Sequence, residues 1–381
     1  MTAGSRVGTS MWDQIRAGRA PSTAGVEALA RDDVALLGDH GAELHSRLSN
    51  DVLGAGPLEE LLRRPGVTDV LVNGTAGVFV DAGDGLRRTS VEVGDADQVR
   101  RLAVRLAGLA GRRLDDSCPY VDGLLPDGVR LHAVLPPLVA EAAHLSLRVP
   151  QTRSLGFPEL VANGFVPEAL SSVLRHLVQA RQAFLVSGGT GTGKTTLLAA
   201  LLSTVLPTER LVVVEDVREL AVSHPHVVRL EARAPNIEGR GEVPMAALVR
   251  QSLRMRPDRL VVGEVRGPEV RELLSALNTG HEGGCGTLHA NAIDDVVARF
   301  EALGALAGLS PEATRTQLAS AVRVVLHLKR TAGHRHLAQI GVLRRVPSGL
   351  QCVPAWSFAR GVVEAGDAAG ELDRLLAEGS C

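Results

Sequence analysis

The sequence predicts an α/β protein in two parts, a smaller α/β domain followed by a larger one whose sheet is mostly parallel and covered by helices. Three observations carry that prediction. The chain has 381 residues, well above the roughly 100 to 150 of a typical single domain. Its 45% hydrophobic content can build a core, and 22% charged residues with a formal net charge of −2 is not the composition of a disordered chain. Between about Val166 and Leu328, short apolar strands alternate with helical patterns, which is how a parallel sheet with crossover helices reads.

Residues 1–50 are a lead-in rich in Ala, Gly, Ser and charge, in which Val34, Leu36, Leu37, Leu44 and Leu48 are spaced for one or two amphipathic helices. Residues 51–150 form the smaller domain. There DVLVN and GVFVD flank the turn Gly74-Thr75-Ala76-Gly77 as a hairpin, QVRRLAVRLAGLAG has helical spacing, and two strands follow that carry Arg130 and Arg148. Gly156, Pro158 and Gly164 mark 151–165 as a linker. The larger domain, 166–363, runs through the strands AFLVS, RLVVVE, HVVRL, RLVVGE and GTLHA, with helices over MAALVRQSLRM and EVRELLSALN, and ends in LAQIGVLRRV and QCVPAWSF. Residues 364–381 read as a flexible tail.

Composition removes several function classes. Six Phe, two Trp and one Tyr leave little material for a base-stacking platform. Of 41 basic residues only Lys194 and Lys329 are lysine, so arginine content alone says nothing about phosphate binding. Cys118, Cys285, Cys352 and Cys381 form no CxxC pair, against a zinc module or a disulfide framework and in keeping with a reducing cytoplasm. The longest uncharged stretch, Thr195–Thr208, is 14 residues with a proline inside, short of the roughly 18 to 20 a membrane span needs. The N-terminus lacks the apolar core of a signal peptide. The expectation is a cytoplasmic protein, peripheral to any membrane.

Gly188-Gly189-Thr190-Gly191-Thr192-Gly193-Lys194-Thr195 fits GxxxxGK[ST] directly after a strand and directly before a helix. Glycines let the backbone wrap a phosphate chain, and the amides of this loop through Thr196 point at the anion. Lys194 reaches the β and γ phosphates and Thr195 offers a hydroxyl to Mg²⁺. The strand LVVVEDVREL ends in Glu215-Asp216, with Glu219 beyond; carboxylates there suit Mg²⁺ or a hydrolytic water, although ordinary strand-to-helix punctuation reads the same way. In RPDRLVVGEVRG, Glu264 ends a strand where a carboxylate orients water or the metal's surroundings; a helix-start residue is the plainer alternative. TGHEGGCGTLHANA holds His281 and His289 without the neighbouring ligands zinc needs, so a neutral imidazole at the γ-phosphate is the better reading of His289.

Taken in order, the loop at 188–195, EDVREL at 215–220, LRMRPDRLVVGEVRG at 253–267, and TGHEGG followed by GTLHAN resemble the secretion-superfamily ATPases of type II and type IV secretion and type IV pili. The wording is closest to the CpaF/TadA branch, the Tad-pilus and conjugal-transfer-associated ATPases of actinobacterial type. VDGLLPDGVRLHAVLPP and HLSLRVP extend the likeness into the smaller domain. No tetracysteine module follows the histidine segment, unlike the type II members that carry one. The resemblance implies a RecA-like P-loop C-terminal domain, a homohexamer, ATP with Mg²⁺, and an inner-membrane platform protein as partner. It implies Glu219 as the acidic-box carboxylate, Glu264 as the Walker B glutamate, His289 as the histidine-box residue, and Arg130 and Arg148 as neutralisers of phosphate charge. The competing reading is a DNA-translocating or recombinase-like ATPase. It has little support from a chain of net charge −2 with no concentrated basic run and few aromatics, so no nucleic acid is expected.

Overall fold

A computed structural model describes residues 54–378 apart from 84, 151–154, 234, 236–239, 281–282, 332, 348 and 360. The helices expected within 1–50, part of the expected linker, and His281 therefore lie outside the described residues. The chain divides into two compact units, residues 1–151 and 152–381.

In the first unit the elements are α1 (Glu59–Arg63), β1 (Asp69–Asn73), β2 (Val78–Asp81), β3 (Leu86–Arg88), α2 (Ala96–Leu109), β4 (Tyr120–Leu124), β5 (Arg130–Val134) and β6 (His144–Arg148). The strands form an antiparallel sheet in the order β3-β2-β1-β6-β5-β4. The expected hairpin is β1–β2. Helix α2 starts where Asp95 accepts the Gln98 backbone N–H at 2.8 Å and the Gln98 side chain accepts from the Asp95 N–H at 2.8 Å, a reciprocal cap. Its buried side, Val99, Leu102, Ala103 and Leu106, packs with Val70, Val72, Leu131 and Leu145, the inward half of an alternating sheet.

The second unit contains α3 (Phe157–Ala162), α4 (Glu168–Gln179), β7 (Phe184–Gly188), α5 (Lys194–Leu202), β8 (Leu211–Glu215), β9 (Val227–Glu231), α6 (Met245–Ser252), β10 (Arg259–Val265), α7 (Val270–Leu277), β11 (Cys285–His289), α8 (Asp295–Leu306), α9 (Pro311–Ala321), β12 (Val324–Thr331), β13 (His334–Val346), β14 (Gly349–Ala359), β15 (Val362–Ala365) and α10 (Ala369–Glu378). The sheet order is β15-β14-β13-β12-β7-β11-β10-β8-β9. From β12 to β9 every pairing is parallel, and β13 to β15 extend the sheet as an antiparallel meander. Strands β7, β8 and most of β10 are buried on both faces and read as unbroken apolar runs for that reason. One apolar layer joins α3, α4, α5 and α10 to the sheet. The opposite layer joins α6 to α9.

Two expectations are corrected. Part of the expected linker is helix α3, whose Phe157 and Leu160 are buried in the core, so these residues belong to the packed unit. The expected flexible tail contains the end of β15 and helix α10. Leu372, Leu375 and Leu376 of α10 join the apolar layer, Glu371 accepts from Arg344 Nε at 2.8 Å, and the Leu375 carbonyl accepts from Gln182 Nε2 at 3.0 Å.

Arg259 and His327 are among the polar residues buried within this sheet. Arg259 donates Nε to Glu209 Oε2 at 2.9 Å and a terminal nitrogen to Oε1 at 3.0 Å, and that same nitrogen donates to the Val178 carbonyl at 2.9 Å. On β12, fully buried His327 shares a 2.9 Å hydrogen bond through Nδ1 with Ser187 Oγ of β7. Burial pushes the imidazole pKa down to about 4, with Lys329 adding to the effect.

Glu209→Ala strands the Arg259 charge and is expected to cost about 3–5 kcal/mol, measurable by urea unfolding against wild type. For His327 the folded pKa lies below the unfolded one, so the unfolded chain takes the proton first as pH falls. Stability should drop by about 1.4 kcal/mol per pH unit between the unfolded pKa near 6.5 and pH 4 and then level off. Unfolding curves of His327→Leu should lack that part of the slope.

Candidate functional site

The carboxyl ends of the parallel strands form one edge of the second unit, the usual place for a ligand in an open α/β sheet. Central strand β7 ends at Gly188, in register with His289 of β11 on one side and Leu328 of β12 on the other. The chain then turns through Gly189 to Gly193 into α5. Gly188 has φ 152°, and a Cβ there would lie 2.8 Å from the Leu328 carbonyl oxygen and 2.7 Å from Thr192 Oγ1. Gly193 caps α5 in the left-handed region at φ 93°, with the Phe165 ring 2.8 Å from where its Cβ would be. A side chain at either position would displace the loop.

Lys194, the first residue of α5, is 8% exposed. Its Nζ donates to the Gly188 and Gly189 carbonyls, each at 3.0 Å, and lies 3.2 Å from His289 Nε2. Burial lowers the Lys194 pKa, while the charges of Glu264 and Glu219 pull it up. His289 Nε2 is also 3.3 Å from Glu264 Oε1. Burial and then Lys194 lower the His289 pKa, Glu264 opposes them, and Arg299 adds to the lowering. The imidazole is therefore neutral at pH 7, and its Nε2 either accepts from the Lys194 ammonium or donates to the Glu264 carboxylate, according to the tautomer. Glu264 reaches this point because the β10–β11 ladder slips between Val262 and Val265, and Thr287 Oγ1 holds the local backbone through the Gly263 carbonyl at 2.7 Å.

The two acidic residues ending β8 part company. Asp216 is exposed and ion-paired with Arg266, whose other arm is 3.9 Å from Glu264 Oε2. Glu215, expected to help hold Mg²⁺, is turned inward at 3% exposure. Its Oε1 accepts the backbone N–H groups of Glu219 at 2.9 Å and Leu220 at 2.8 Å, closing the turn. Its Oε2 is buried without a partner, and burial raises its pKa against the pull of those two N–H groups. Gly263 makes room for it, since a Cβ there would lie 2.6 Å from Glu215 Cγ. Glu215 thus shapes the turn that presents Asp216 and Glu219.

Lys194, His289, Glu264 and the glycine loop are brought together at this edge. Thr195 and Thr196 are half-buried on the first turn of α5. Arg130 and Arg148 belong to the first unit, where they stand directly opposite each other on β5 and β6. Cys285 and Cys352 are buried, which pushes both thiols up to about 12 and leaves them unreactive in the folded state. Sequence reading gave no role to Arg266, although it lies inside the quoted GEVRG stretch. Phe165 and Arg335 also border the loop, the latter with Cδ 3.9 Å from the Cβ position of Gly193, and neither has a fixed spacing from the loop to reveal it.

Comparison with known proteins places the chain in a family. The model of the family described as Type II/IV secretion system protein matches residues 51–361. A protein of Mycobacterium tuberculosis (strain H37Rv) with a provisional conjugal transfer name is 53% identical over 353 residues, covering 91% of this chain and 100% of the relative. The conjugal transfer protein TrbB of Rhizobium radiobacter is 34% identical over 230 residues, covering 59% of this chain and 68% of its own. The type IV secretion system protein PtlH of Bordetella pertussis is 32% identical over 269 residues, covering 64% and 78%. Among solved structures, the Yersinia pseudotuberculosis ATPase DotB aligns with TM-score 0.52 at 17% identity over 88% of this chain and 85% of its own. The pilus retraction motor PilT with bound ADP gives 0.51 at 20% identity over 82% of each. These two share the RecA-like P-loop fold with its N-terminal domain. The chain belongs to the type II/IV secretion system protein family.

Proposed function

We propose that the protein is an ATP-hydrolysing motor, active as a homohexamer at the cytoplasmic face of the membrane, for a secretion or pilus system of the Tad or conjugal-transfer type. The convergence of Lys194, His289 and Glu264 beside the glycine loop is the observation that carries this reading. No helix among the described residues is long and apolar enough to cross a membrane, and we assign membrane attachment to an inner-membrane platform protein.

In this reading the amides of Gly189 to Thr196 receive the phosphate chain, and Lys194 turns its ammonium from the Gly188 and Gly189 carbonyls to the β and γ phosphates. Glu264 takes the proton from the attacking water as the new P–O bond forms and the bond to ADP breaks. Neutral His289 hydrogen-bonds the γ-phosphate or the water. Glu219 assists Glu264 from the neighbouring turn, and Arg130 and Arg148 are assigned to phosphate charge. Among the described residues no three His, Cys, Asp or Glu side chains converge as a metal cage. One hydroxyl and one outward carboxylate fit Mg²⁺, which is held largely by phosphate oxygens and water with one or two protein groups. Thr195 and outward-facing Asp216 would hold it, with Glu215 ordering the turn beneath. When bound it supplies charge neutralisation on the phosphates.

Mg²⁺-dependent phosphate release, measured with gel filtration on the same samples, tests the reading. Lys194→Ala should abolish turnover and Glu264→Gln should lower kcat by about 100- to 10,000-fold while ATP still binds. Wild-type turnover in Glu264→Gln would remove Glu264 as base. Because His289 is already neutral at pH 7, the acid limb of the kcat profile should lie below about pH 6.5, where protonation sets a second cation against Lys194. In His289→Gln that limb should shift or disappear.

A further inference from the structure

The hairpin of β12 and β13 belongs to none of the motifs read above, yet it borders the glycine loop at both ends. At the start of the loop, Leu328 stands in register with Gly188. At its end, the Leu337 N–H donates to the Phe165 carbonyl at 2.8 Å, fixing the residue whose ring closes on Gly193. Beyond Leu328 the ladder pairs Lys329 with His336 and Arg330 with Arg335. Side chains alternate along a strand, so Arg330 and Arg335 share the face of Leu328 and Leu337, which is the face where α5 packs. Lys329 falls on the opposite face with His327. Arg335 is exposed, and its Cδ runs 3.9 Å from the Cβ position of Gly193.

Position along the loop decides what this guanidinium meets. Lys194 Nζ, His289 and Glu264 gather by the Gly188 and Gly189 carbonyls, which marks the terminal-phosphate end. Arg335 approaches the other end of the loop, at the helix cap. We propose that Arg335 is a nucleotide-binding residue that lays its guanidinium against the nucleoside end of a bound purine nucleotide, with buried Phe165 as the rigid backing that sets its distance from the loop. The inference rests on the nucleotide-binding reading of the preceding subsection. A planar guanidinium stacks on a purine face in a way an ammonium does not.

The test is competition binding of Mg²⁺ with ATP, ADP and inorganic tripolyphosphate, which has the phosphates and no nucleoside. Arg335→Ala should weaken ATP and ADP by the same factor, about 5- to 30-fold, and leave tripolyphosphate unchanged. Arg335→Lys should not restore affinity, and Arg345→Ala, an exposed arginine farther along β13, should behave as wild type. Because Arg335 is exposed, its variants are expected to keep the wild-type Tm, which the same samples verify. Undiminished ATP binding in Arg335→Ala, a parallel loss of tripolyphosphate, or full rescue by lysine would each overturn the inference alone. Wild-type protein that takes up neither ATP nor tripolyphosphate, with Lys194→Ala no different, would overturn the nucleotide reading and this inference with it.

Discussion

Parallel, in-register pairing of β7 with β11 and β12 is the constraint on which the rest of the second unit depends. Gly188 has His289 beside it on one strand and Leu328 on the other, so the loop starts from a point fixed on both sides. A slip of one residue in either ladder would turn His289 or His327 to the opposite face. His327 and Ser187 guard against one such slip, because their hydrogen bond lies inside the sheet and satisfies the serine only in this register. Burial of β7, β8 and β10 on both faces supplies the rigidity, and the ends of those strands supply the chemistry.

The electrostatics follow from that placement. Lys194 is buried and its neighbours are carbonyls, an imidazole and two acidic residues close enough to raise its pKa. Burial and opposite charge act against each other there, and burial is the larger effect. The same burial keeps His289 neutral, so its Nε2, 3.2 Å from Lys194 Nζ and 3.3 Å from Glu264 Oε1, hydrogen-bonds one of these two charged groups at a time. Arg266 extends the arrangement outward by joining Asp216 to Glu264.

Much of this was legible in the sequence where local pattern and local structure coincide. The glycine loop showed itself because its residue types, its strand and its helix are contiguous, and Glu264 and His289 because each ends an apolar strand. What escaped notice is non-local. Glu215 and Asp216 are adjacent in sequence and read as one acidic pair, but Glu215 is the last residue of the buried strand β8 and Asp216 lies just past its end, exposed. Helix α10 looked like a tail because its Ala, Gly and acidic residues mask three leucines that bury only against a distant layer. Phe165 and Arg335 are far from the loop in sequence, and the pairing of β12 with β7 and β13 and the Leu337 to Phe165 backbone hydrogen bond bring them beside it.

The hairpin has a practical consequence through the scarcity of lysine. The chain holds two side-chain amines. Lys194 is enclosed by loop carbonyls, whereas Lys329 is exposed on β12. Among lysines, an amine-directed fluorophore would therefore favour one side chain of the folded protein, a few residues from the edge that carries the glycine loop. A lysine-specific protease would likewise meet one accessible site, so the rate of that single cut becomes a gauge of how firmly the hairpin is held.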